Sequence, residues 1–251
     1  MTPDAGTTID TICRGALDLE QPQKGYRFNV DSVILARFAA RATPEKPDTI
    51  LDLGAGCGVV GLLLARMFGN SLVHLLEIQP ELASFAKRNI VRNGLEDRVN
   101  AQCNDLRELK TWPTLEGKAL VVCNPPFHSP QKGRISPVPQ VAMARHEIAC
   151  TLEDLVCACA AKIPESGHLA LIHDADRREE VLSVLTEQGF SVKNTRAVHP
   201  FADRPATRVL VLAYKGEHGT QKALSTDDQP LIVAERPGKY TRELEEMLEV
   251  V

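Results

Sequence analysis

The chain has 251 residues, of which 43% are hydrophobic and 25% are charged, and its formal net charge at pH 7 is −4. This length and composition suit one large α/β domain that buries its own core. The small excess of acidic residues excludes a global basic field that would attract nucleic acid. Any contact with RNA must therefore come from a local cluster of Lys and Arg.

The cysteines and the termini limit the cofactors and the compartment. The seven cysteines form no CxxC pair, and no histidine stands at zinc-ligand spacing from them, so we expect no metal. Their odd number favours a reducing compartment. Residues 1–10 are polar, unlike a signal peptide, and no apolar run approaches membrane-spanning length. The sequence predicts a cytoplasmic protein with no membrane partner, and it specifies no oligomeric state.

After Arg41, short β-rich runs alternate with amphipathic helical segments. The predicted strands are residues 50–53, 72–78, 99–104, 119–123, 168–173, 192–198 and 208–214. The predicted helices are residues 59–68, 80–93, 151–163, 176–188 and 241–248. Pro80 suits the first turn of its helix, and Gly94 suits the end of the same helix.

The alternation of strands and helices predicts a parallel, doubly wound sheet. The two late strands have no helix between them, so they must pair antiparallel or lie apart. One antiparallel strand in an otherwise parallel sheet is a common arrangement. We predict an α/β, Rossmann-like fold with a mostly parallel seven-stranded sheet, helices on both faces and one antiparallel strand. The core spans residues 48–215, preceded by an N-terminal extension, 1–47, and followed by a tail, 216–251, packed on the core.

A glycine-rich loop, residues 52–58, lies where the first predicted core strand becomes a helix. Gly54 and Gly56 let the backbone approach a ligand, and the helix N-terminus offers free N–H groups. Residues 56–61 also match the GxGxxG dinucleotide pattern, a weak signal by itself. Glu77 ends the second core strand, where its carboxylate can accept hydrogen bonds from ribose hydroxyls. These features indicate a cofactor that contains adenosine.

Two further carboxylates bear on the choice of cofactor. Asp52 stands beside the glycine loop, where its charge would repel a pyrophosphate and attract an ammonium group such as that of S-adenosylmethionine. Asp105 follows the third core strand and can accept a hydrogen bond from the adenine amine of the cofactor. Asp105 can equally cap a helical segment that starts at Leu106, because Asp is a favoured cap residue.

The tetrapeptide Asn-Pro-Pro-Phe, residues 124–127, follows the fourth core strand at the sheet edge where open α/β folds bind ligands. The side-chain oxygen of Asn124 and the carbonyl of Pro125 can accept both protons of one planar NH2 group, which aims the nitrogen lone pair at an electrophile. The paired prolines hold these acceptors in place, and Phe127 gives a stacking surface. We predict catalytic roles for Asn124, Pro125 and Phe127.

These features resemble the class I methyltransferases that modify planar amines. Further segments resemble the bacterial tRNA adenine-N6 methyltransferases, which modify the adenosine beside the anticodon of a valine tRNA, and together they cover nearly the whole chain. Phe127 stands where members of that family often carry Tyr; it keeps the ring but lacks the hydroxyl. The resembling segments are Gln21-Pro22, residues 25–28 (Gly-Tyr-Arg-Phe), residues 31–33 (Asp-Ser-Val), residues 77–79 (Glu-Ile-Gln), residues 144–147 (Ala-Arg-His-Glu), residues 205–210 (Pro-Ala-Thr-Arg-Val-Leu) and residues 230–241.

The resemblance implies S-adenosylmethionine as the cofactor, S-adenosylhomocysteine as its product and tRNA as the partner. It also implies that residues 28–31 fold over the methionine end of the cofactor and that residues 124–127 hold the target base. The cofactor residues expected on this basis are Phe28, Asp31, Asp52, Gly54, Gly56, Glu77, Ile78, Asp105, Leu106 and Asn124.

The segment after the tetrapeptide, residues 127–146, is rich in proline and carries basic residues without any acid. Positive charge beside the target pocket can bind phosphate, although the same residues can equally be solvated. We include this segment in the expected substrate site. The expected substrate residues are Pro126, Phe127, Lys132, Arg134 and Arg145.

Other activities share part of this pattern. An N5-glutamine methyltransferase acting on a protein such as a release factor would present the same planar NH2 group to the tetrapeptide. A non-catalytic RNA-binding or S-adenosylmethionine-binding module would need the pocket but not Asn124. A nicotinamide dehydrogenase would share the glycine loop and have no use for the tetrapeptide. The pattern at residues 25–32 and the basic segment favour RNA.

Overall fold

The computed structural model describes residues 6–125, 150–216 and 226–249. In chain order its strands are β1 (Thr7–Ile12), β2 (Leu17–Pro22), β3 (Thr49–Leu53), β4 (Leu72–Glu77), β5 (Val99–Cys103), β6 (Ala119–Cys123), β7 (His168–Asp174), β8 (Phe190–His199), β9 (Arg208–Lys215), β10 (Thr226–Asp227), β11 (Leu231–Ile232), β12 (Ala234–Arg236) and β13 (Lys239–Tyr240). Its helices are α1 (Val30–Ala42), α2 (Val59–Met67), α3 (Pro80–Arg92), α4 (Leu152–Lys162), α5 (Arg178–Glu187) and α6 (Arg242–Glu249).

A single large sheet forms the centre of the described residues. Its strand order is β10-β8-β9-β7-β6-β3-β4-β5, and β11 also pairs with β8. The strands β3 to β7 run parallel to their neighbours among themselves, whereas β9 lies antiparallel between β7 and β8. This arrangement confirms the predicted Rossmann-like fold with one antiparallel strand. The two-residue strands β10 and β11 add to the seven predicted ones at the β8 edge.

Helices cover both faces of the sheet because successive strand residues point to opposite sides. On β6, Leu120 and Val122 pack in the hydrophobic cluster that includes α1, α2 and α3. Val121 and Cys123 pack in the cluster that includes α4 and α5. All of β6 is buried, as expected for a central strand of a parallel sheet covered on both faces.

Residues 6–47 include the β1–β2 hairpin and α1, which the sequence analysis left unassigned. The free edge of β2 lies against α3, where Asn89 within the helix and Asn93 just after it act as a substitute for a neighbouring strand. Asn89 accepts from the Glu20 backbone N–H at 2.7 Å and donates to the Glu20 carbonyl at 2.9 Å. Asn93 makes the same pair of bonds to Asp18, at 3.0 and 2.9 Å. The hairpin is therefore fixed beside the glycine loop.

Helix α1 joins the hairpin to the core and brings its N-terminus to the carboxyl edge of the sheet. Asn29 caps it by accepting a hydrogen bond from the Asp31 backbone N–H at 3.1 Å. The helix packs against α2 and β7, and α6 packs against its outer side, with Leu244 fully buried. The segment before α1 lies across the end of β3, where the predicted site begins.

Candidate functional site

The glycine loop runs from the end of β3 to the start of α2 and stays close to β4. The backbone N–H groups of Gly54 and Ala55 both donate to the Leu76 carbonyl, at 2.8 and 3.1 Å. Gly54 and Gly56 have φ values of +69° and +58°, a left-handed conformation that favours glycine. A Cβ on Gly56 would lie 3.4 Å from the ring of Tyr26. The loop is thus enclosed between β4 and the segment that precedes α1.

Two buried carboxylates accept hydrogen bonds from the glycine loop and from the first turn of α2. The side chain of Glu77 accepts hydrogen bonds from the backbone N–H of Gly56 and of Gln79, each at 2.8 Å. Asp52 accepts from the backbone N–H of Gly61, also at 2.8 Å, and so satisfies a free N–H in the first turn of α2. Two carboxyl groups therefore already lie at the N-terminus of α2, where a pyrophosphate would otherwise be stabilised.

Burial raises the pKa of both carboxyl groups. The pKa of Asp52 rises to about 7 because burial penalises its charged form and the charge of Glu77 acts in the same direction, while the Gly61 N–H opposes both. The pKa of Glu77 is raised by burial against the opposing backbone hydrogen bonds of Gln79, Gly56 and Ile78. A cation placed beside these groups would favour their ionised forms.

Two cavities lie at this edge of the sheet, and Tyr26, Gly54 and Asn124 line both of them. The first cavity extends towards the end of β4 and the first turn of α4, and the second extends towards the start of α2 and α1. Expected site residues that line the first cavity are Gly54, Gly56, Glu77, Ile78, Leu106, Asn124 and Pro125. Expected site residues that line the second cavity are Phe28, Asp52, Gly54 and Asn124.

Asn124 directly follows β6 and is partly buried in the wall common to the two cavities. Its side-chain Nδ2 donates a hydrogen bond to the Oγ of Ser32 at 3.3 Å. Ser32 belongs to the first turn of α1 and lines the second cavity. The preceding residue, Cys123, donates from its buried thiol to the Leu53 carbonyl at 3.2 Å, which ties the end of β6 to the end of β3.

Asp31 and Asp105, both expected at the cofactor, do not line either cavity. Asp31 pairs with Arg208, whose Nε lies 3.1 Å from its Oδ2. Asp105 makes a two-pronged ion pair with Arg107 and accepts from the Arg107 backbone N–H at 2.9 Å, a turn like the capping alternative in the sequence analysis. The hydrogen bond from the Arg107 side chain lowers the pKa of Asp105. Each carboxylate has an arginine as its partner.

Five expected residues lie outside the described part of the chain, so the structure describes no contact for them. They are Pro126, Phe127, Lys132, Arg134 and Arg145.

The structure adds cavity residues that the sequence analysis did not select. Tyr26 was noted only as part of a resembling segment, and its place over Gly56 depends on the path of the chain before α1. His173 lies near the carboxyl end of β7, is fully buried and lines the first cavity. Burial lowers its pKa to about 4, so the ring is neutral near pH 7. The position of His173 at the end of a predicted strand is the sequence feature that could have identified it.

Neither a metal site nor a membrane span is found in the described ranges. No group of three or more His, Cys, Asp and Glu side chains there could bind a metal ion. No helix there combines the length and the apolar character needed to cross a membrane.

Comparison with known proteins gives consistent matches. The family model described as methyltransferase small domain matches residues 31–177. A tRNA1(Val) (adenine(37)-N6)-methyltransferase from Porphyromonas gingivalis strain W83 is 31% identical over 172 residues, which cover 65% of each chain. The present chain thus spans slightly less than two thirds of that relative. A protein of the same name from Aeromonas salmonicida is 26% identical over 199 residues, 79% of this chain and 80% of the relative.

A solved structure supports the fold. A protein from Agrobacterium tumefaciens, described as a predicted O-methyltransferase, superimposes with a TM-score of 0.62 at 24% identity. The match covers 86% of the present chain and 94% of that protein.

Proposed function

The chain belongs to the methyltransferase small domain family, and from that premise we propose that it transfers a methyl group from S-adenosylmethionine to the exocyclic N6 amine of an adenine in tRNA. The target in this proposal is the adenosine beside the anticodon. The names of the relatives from P. gingivalis and A. salmonicida support the choice of base and of RNA. The product of the cofactor is S-adenosylhomocysteine.

The position of Asn124 carries the proposal. It stands at the carboxyl end of a central strand, in the wall that the two cavities share, with the glycine loop opposite. A residue at this point can reach a cofactor that extends through both cavities and a substrate group that enters beside Pro125. The acid pair of Asp52 and Glu77 argues against a dinucleotide, because both carboxylates occupy the surroundings that a pyrophosphate would need.

The residues present fit the proposed cofactor. Asp52, buried in the second cavity, would attract the ammonium group at the methionine end, and Phe28 would cover that end. Glu77 would accept hydrogen bonds from ribose hydroxyls, since each carboxylate oxygen holds more than one lone pair. Ile78 and Leu106 supply apolar surface in the first cavity for an adenine ring. When bound, S-adenosylmethionine supplies an activated methyl group.

In the proposed reaction the protein orients the amine. Oδ1 of Asn124 and the carbonyl oxygen of Pro125 each accept one N–H of the planar NH2 group, which reduces conjugation of its lone pair with the ring. The methyl group would pass from the cofactor sulfur to the nitrogen as the S–CH3 bond breaks, and the nitrogen would release one proton to water. Orientation of this kind can account for a large part of a rate enhancement. His173 is neutral near pH 7 and adds no positive charge beside the amine.

The decisive experiment is a methyl-transfer assay with the full chain and a matched choice of acceptors. Purified protein is incubated with methyl-labelled S-adenosylmethionine and either unmodified tRNA or a release factor. The proposal expects label in tRNA that RNase removes, and N6-methyladenosine when the tRNA is digested and analysed by mass spectrometry. Label in the release factor and none in tRNA would instead establish N5-glutamine methylation and refute the proposal.

A second arm tests the activity in cells and the need for catalysis. Nucleosides of tRNA from cells with and without the gene are compared, and N6-methyladenosine should be lost with the gene. A gene that encodes the Asn124→Ala protein should fail to restore it. Restoration by that variant would indicate a non-catalytic RNA-binding or cofactor-binding module.

A further inference from the structure

The side-chain amide of Asn124 has two ends of opposite hydrogen-bonding character. Its Oδ1 accepts hydrogen bonds, and its Nδ2 only donates them. The substrate amine in the proposed function brings two N–H donors. A carboxamide rotated by 180° would therefore oppose donors to donors, and the amine would lose one of its two acceptors. Methyl transfer therefore requires an Asn124 side chain that is held in place with Oδ1 available to the amine.

Ser32 is placed to hold the carboxamide in the orientation found in the structure. Its Oγ accepts the hydrogen bond from Nδ2 of Asn124 at 3.3 Å. Ser32 is only 4% exposed, so bulk water offers little competition as an acceptor. With Nδ2 engaged in this way, Oδ1 is the end of the amide that remains for a substrate.

The first turn of α1 is anchored independently of the two cavities. Arg208 joins Asp31, the neighbour of Ser32, to Asp174 at the end of β7, with N–O distances of 3.1 and 2.6 Å. Asn29 caps the same turn. These contacts tie Ser32 to two strands of the central sheet. Its hydroxyl is thus held at a fixed place relative to Asn124, which follows the neighbouring strand β6.

We propose that Ser32 is a positioning residue that fixes the Asn124 carboxamide with Oδ1 towards the substrate amine. This inference rests on the proposed function, because it assigns Asn124 the role of acceptor. Ser32 acts on the reaction only through Asn124 and does not contact the transferred group. Its loss would lower the fraction of molecules with the reactive amide orientation and leave the binding of cofactor unchanged.

The test compares Ser32→Ala and Ser32→Thr with Ser71→Ala in the full chain. Ser71 is a matched control because it is also buried and its hydroxyl also makes a hydrogen bond, as a donor to the Pro47 carbonyl. It lies just before β4, at the amino ends of the parallel strands and so away from Asn124. We expect Ser32→Ala to reduce kcat about tenfold, the effect of one net hydrogen bond. KM for tRNA and Kd for S-adenosylmethionine should stay within about twofold of wild type. Ser32→Thr should recover most of the lost kcat, and Ser71→Ala should keep the wild-type kcat.

An unchanged kcat in Ser32→Ala would overturn the proposal. A tenfold loss of cofactor affinity in that variant would overturn it too, because Ser32 would then act on the cofactor.

A spectroscopic measurement keeps this inference separate from the proposed function. The side-chain NH2 resonances of Asn124 are recorded in protein with 15N-labelled asparagine and assigned by their disappearance in Asn124→Asp. Ser32→Ala should shift these resonances and speed the exchange of their protons with water, and Ser71→Ala should leave them unchanged. This result is expected even if tRNA is not the substrate. Resonances unaffected by Ser32→Ala would refute the contact itself.

Discussion

The side chain of Asn89 donates a hydrogen bond from Nδ2 to the backbone carbonyl of Cys57 in the glycine loop, at 2.9 Å. The same amide pairs with both backbone polar groups of Glu20 in β2. Asn89 is fully buried on α3, so water cannot replace these bonds. One carboxamide therefore joins the hairpin, the helix and the glycine loop.

We expect Asn89→Ala to lower the free energy of unfolding by about 3 kcal/mol, because three buried backbone bonds lose their partner. Asn93→Ala is the matched comparison: it removes the equivalent pair of bonds to Asp18 and one bond to the Asn89 carbonyl, at a partly buried position where water can substitute. Asn93→Ala should lower the free energy of unfolding by less than half as much as Asn89→Ala. Urea unfolding of both variants measures the difference, and equal losses would contradict the importance given to burial.

Gly61→Ala should disturb both packing and the cofactor site. A Cβ at this position would overlap Cδ2 of Leu75 and lie 3.2 Å from Oδ2 of Asp52. Overpacking of this kind destabilises by about 1–3 kcal/mol. Gly69→Ala, just after α2, is the control because no atom lies within 4 Å of its Cβ. Thermal unfolding should separate the two variants, and equal stability would show that α2 can shift freely.

Asn124→Ala and Glu77→Ala should affect different steps of the reaction. The first removes the orienting acceptor and should reduce kcat by ~100-fold or more while cofactor affinity stays near normal. The second removes a side chain that holds Gly56 and faces the proposed ribose position, so it should weaken cofactor binding. Calorimetry with S-adenosylmethionine and single-turnover rates measure the two effects. Equal losses of cofactor affinity in both variants would contradict this division.

Cofactor affinity should depend on pH through Asp52. Its pKa is raised to about 7, and an ammonium group binds the ionised carboxylate. Affinity should therefore fall as the pH is lowered below 7, by at most about tenfold per unit, and the carboxyl should release a proton when cofactor binds at lower pH. Asp52→Asn should weaken binding at pH 7.5 and remove this dependence. Calorimetry between pH 5.5 and 7.5 tests it, and the same pH slope in wild type and variant would exclude Asp52.

His173 should make the fold sensitive to acid. Its pKa is about 4 in the folded chain and near 6.5 when unfolded, so the unfolded state binds more protons between these values. The free energy of unfolding should fall as the pH drops from about 6.5 towards 4, by up to roughly 1.4 kcal/mol per unit, and this group should have no effect above that window. His173→Gln should reduce the slope. The midpoints of urea unfolding of wild type and His173→Gln, measured at pH 7.5 and pH 5, give the two slopes.

Regular elements of the core were predictable because their boundaries are set locally. The predicted helix at 80–93 is observed as α3, with Pro80 in its first turn and Gly94 just beyond its end. All seven predicted strands are present, with ends that differ by at most two residues. The hairpin was not predicted, because its edge is satisfied by side chains of α3 rather than by another strand. Such a contact leaves no periodic signal in β2.

The candidate site was predictable where it depends on strand ends. The carboxyl ends of parallel strands share one edge of the sheet, and this brings Glu77 and Asn124 to a common cavity. The ion pair of Asp31 could not be predicted in the same way, since its partner Arg208 is 177 residues away in the chain. The place of Tyr26 likewise depends on how the hairpin packs. Side-chain partners remote in sequence decide these positions.

The sheet order imposes a sequence of events on a chain made from its N-terminus. β8 is synthesised before β9, yet β9 lies between it and β7. Until β9 emerges from the ribosome, β7 has an open edge and β8 has no place in the sheet. Asp31 also lacks Arg208 during that interval. The nascent protein can therefore carry every residue that lines the two cavities before the strand that completes its sheet has emerged.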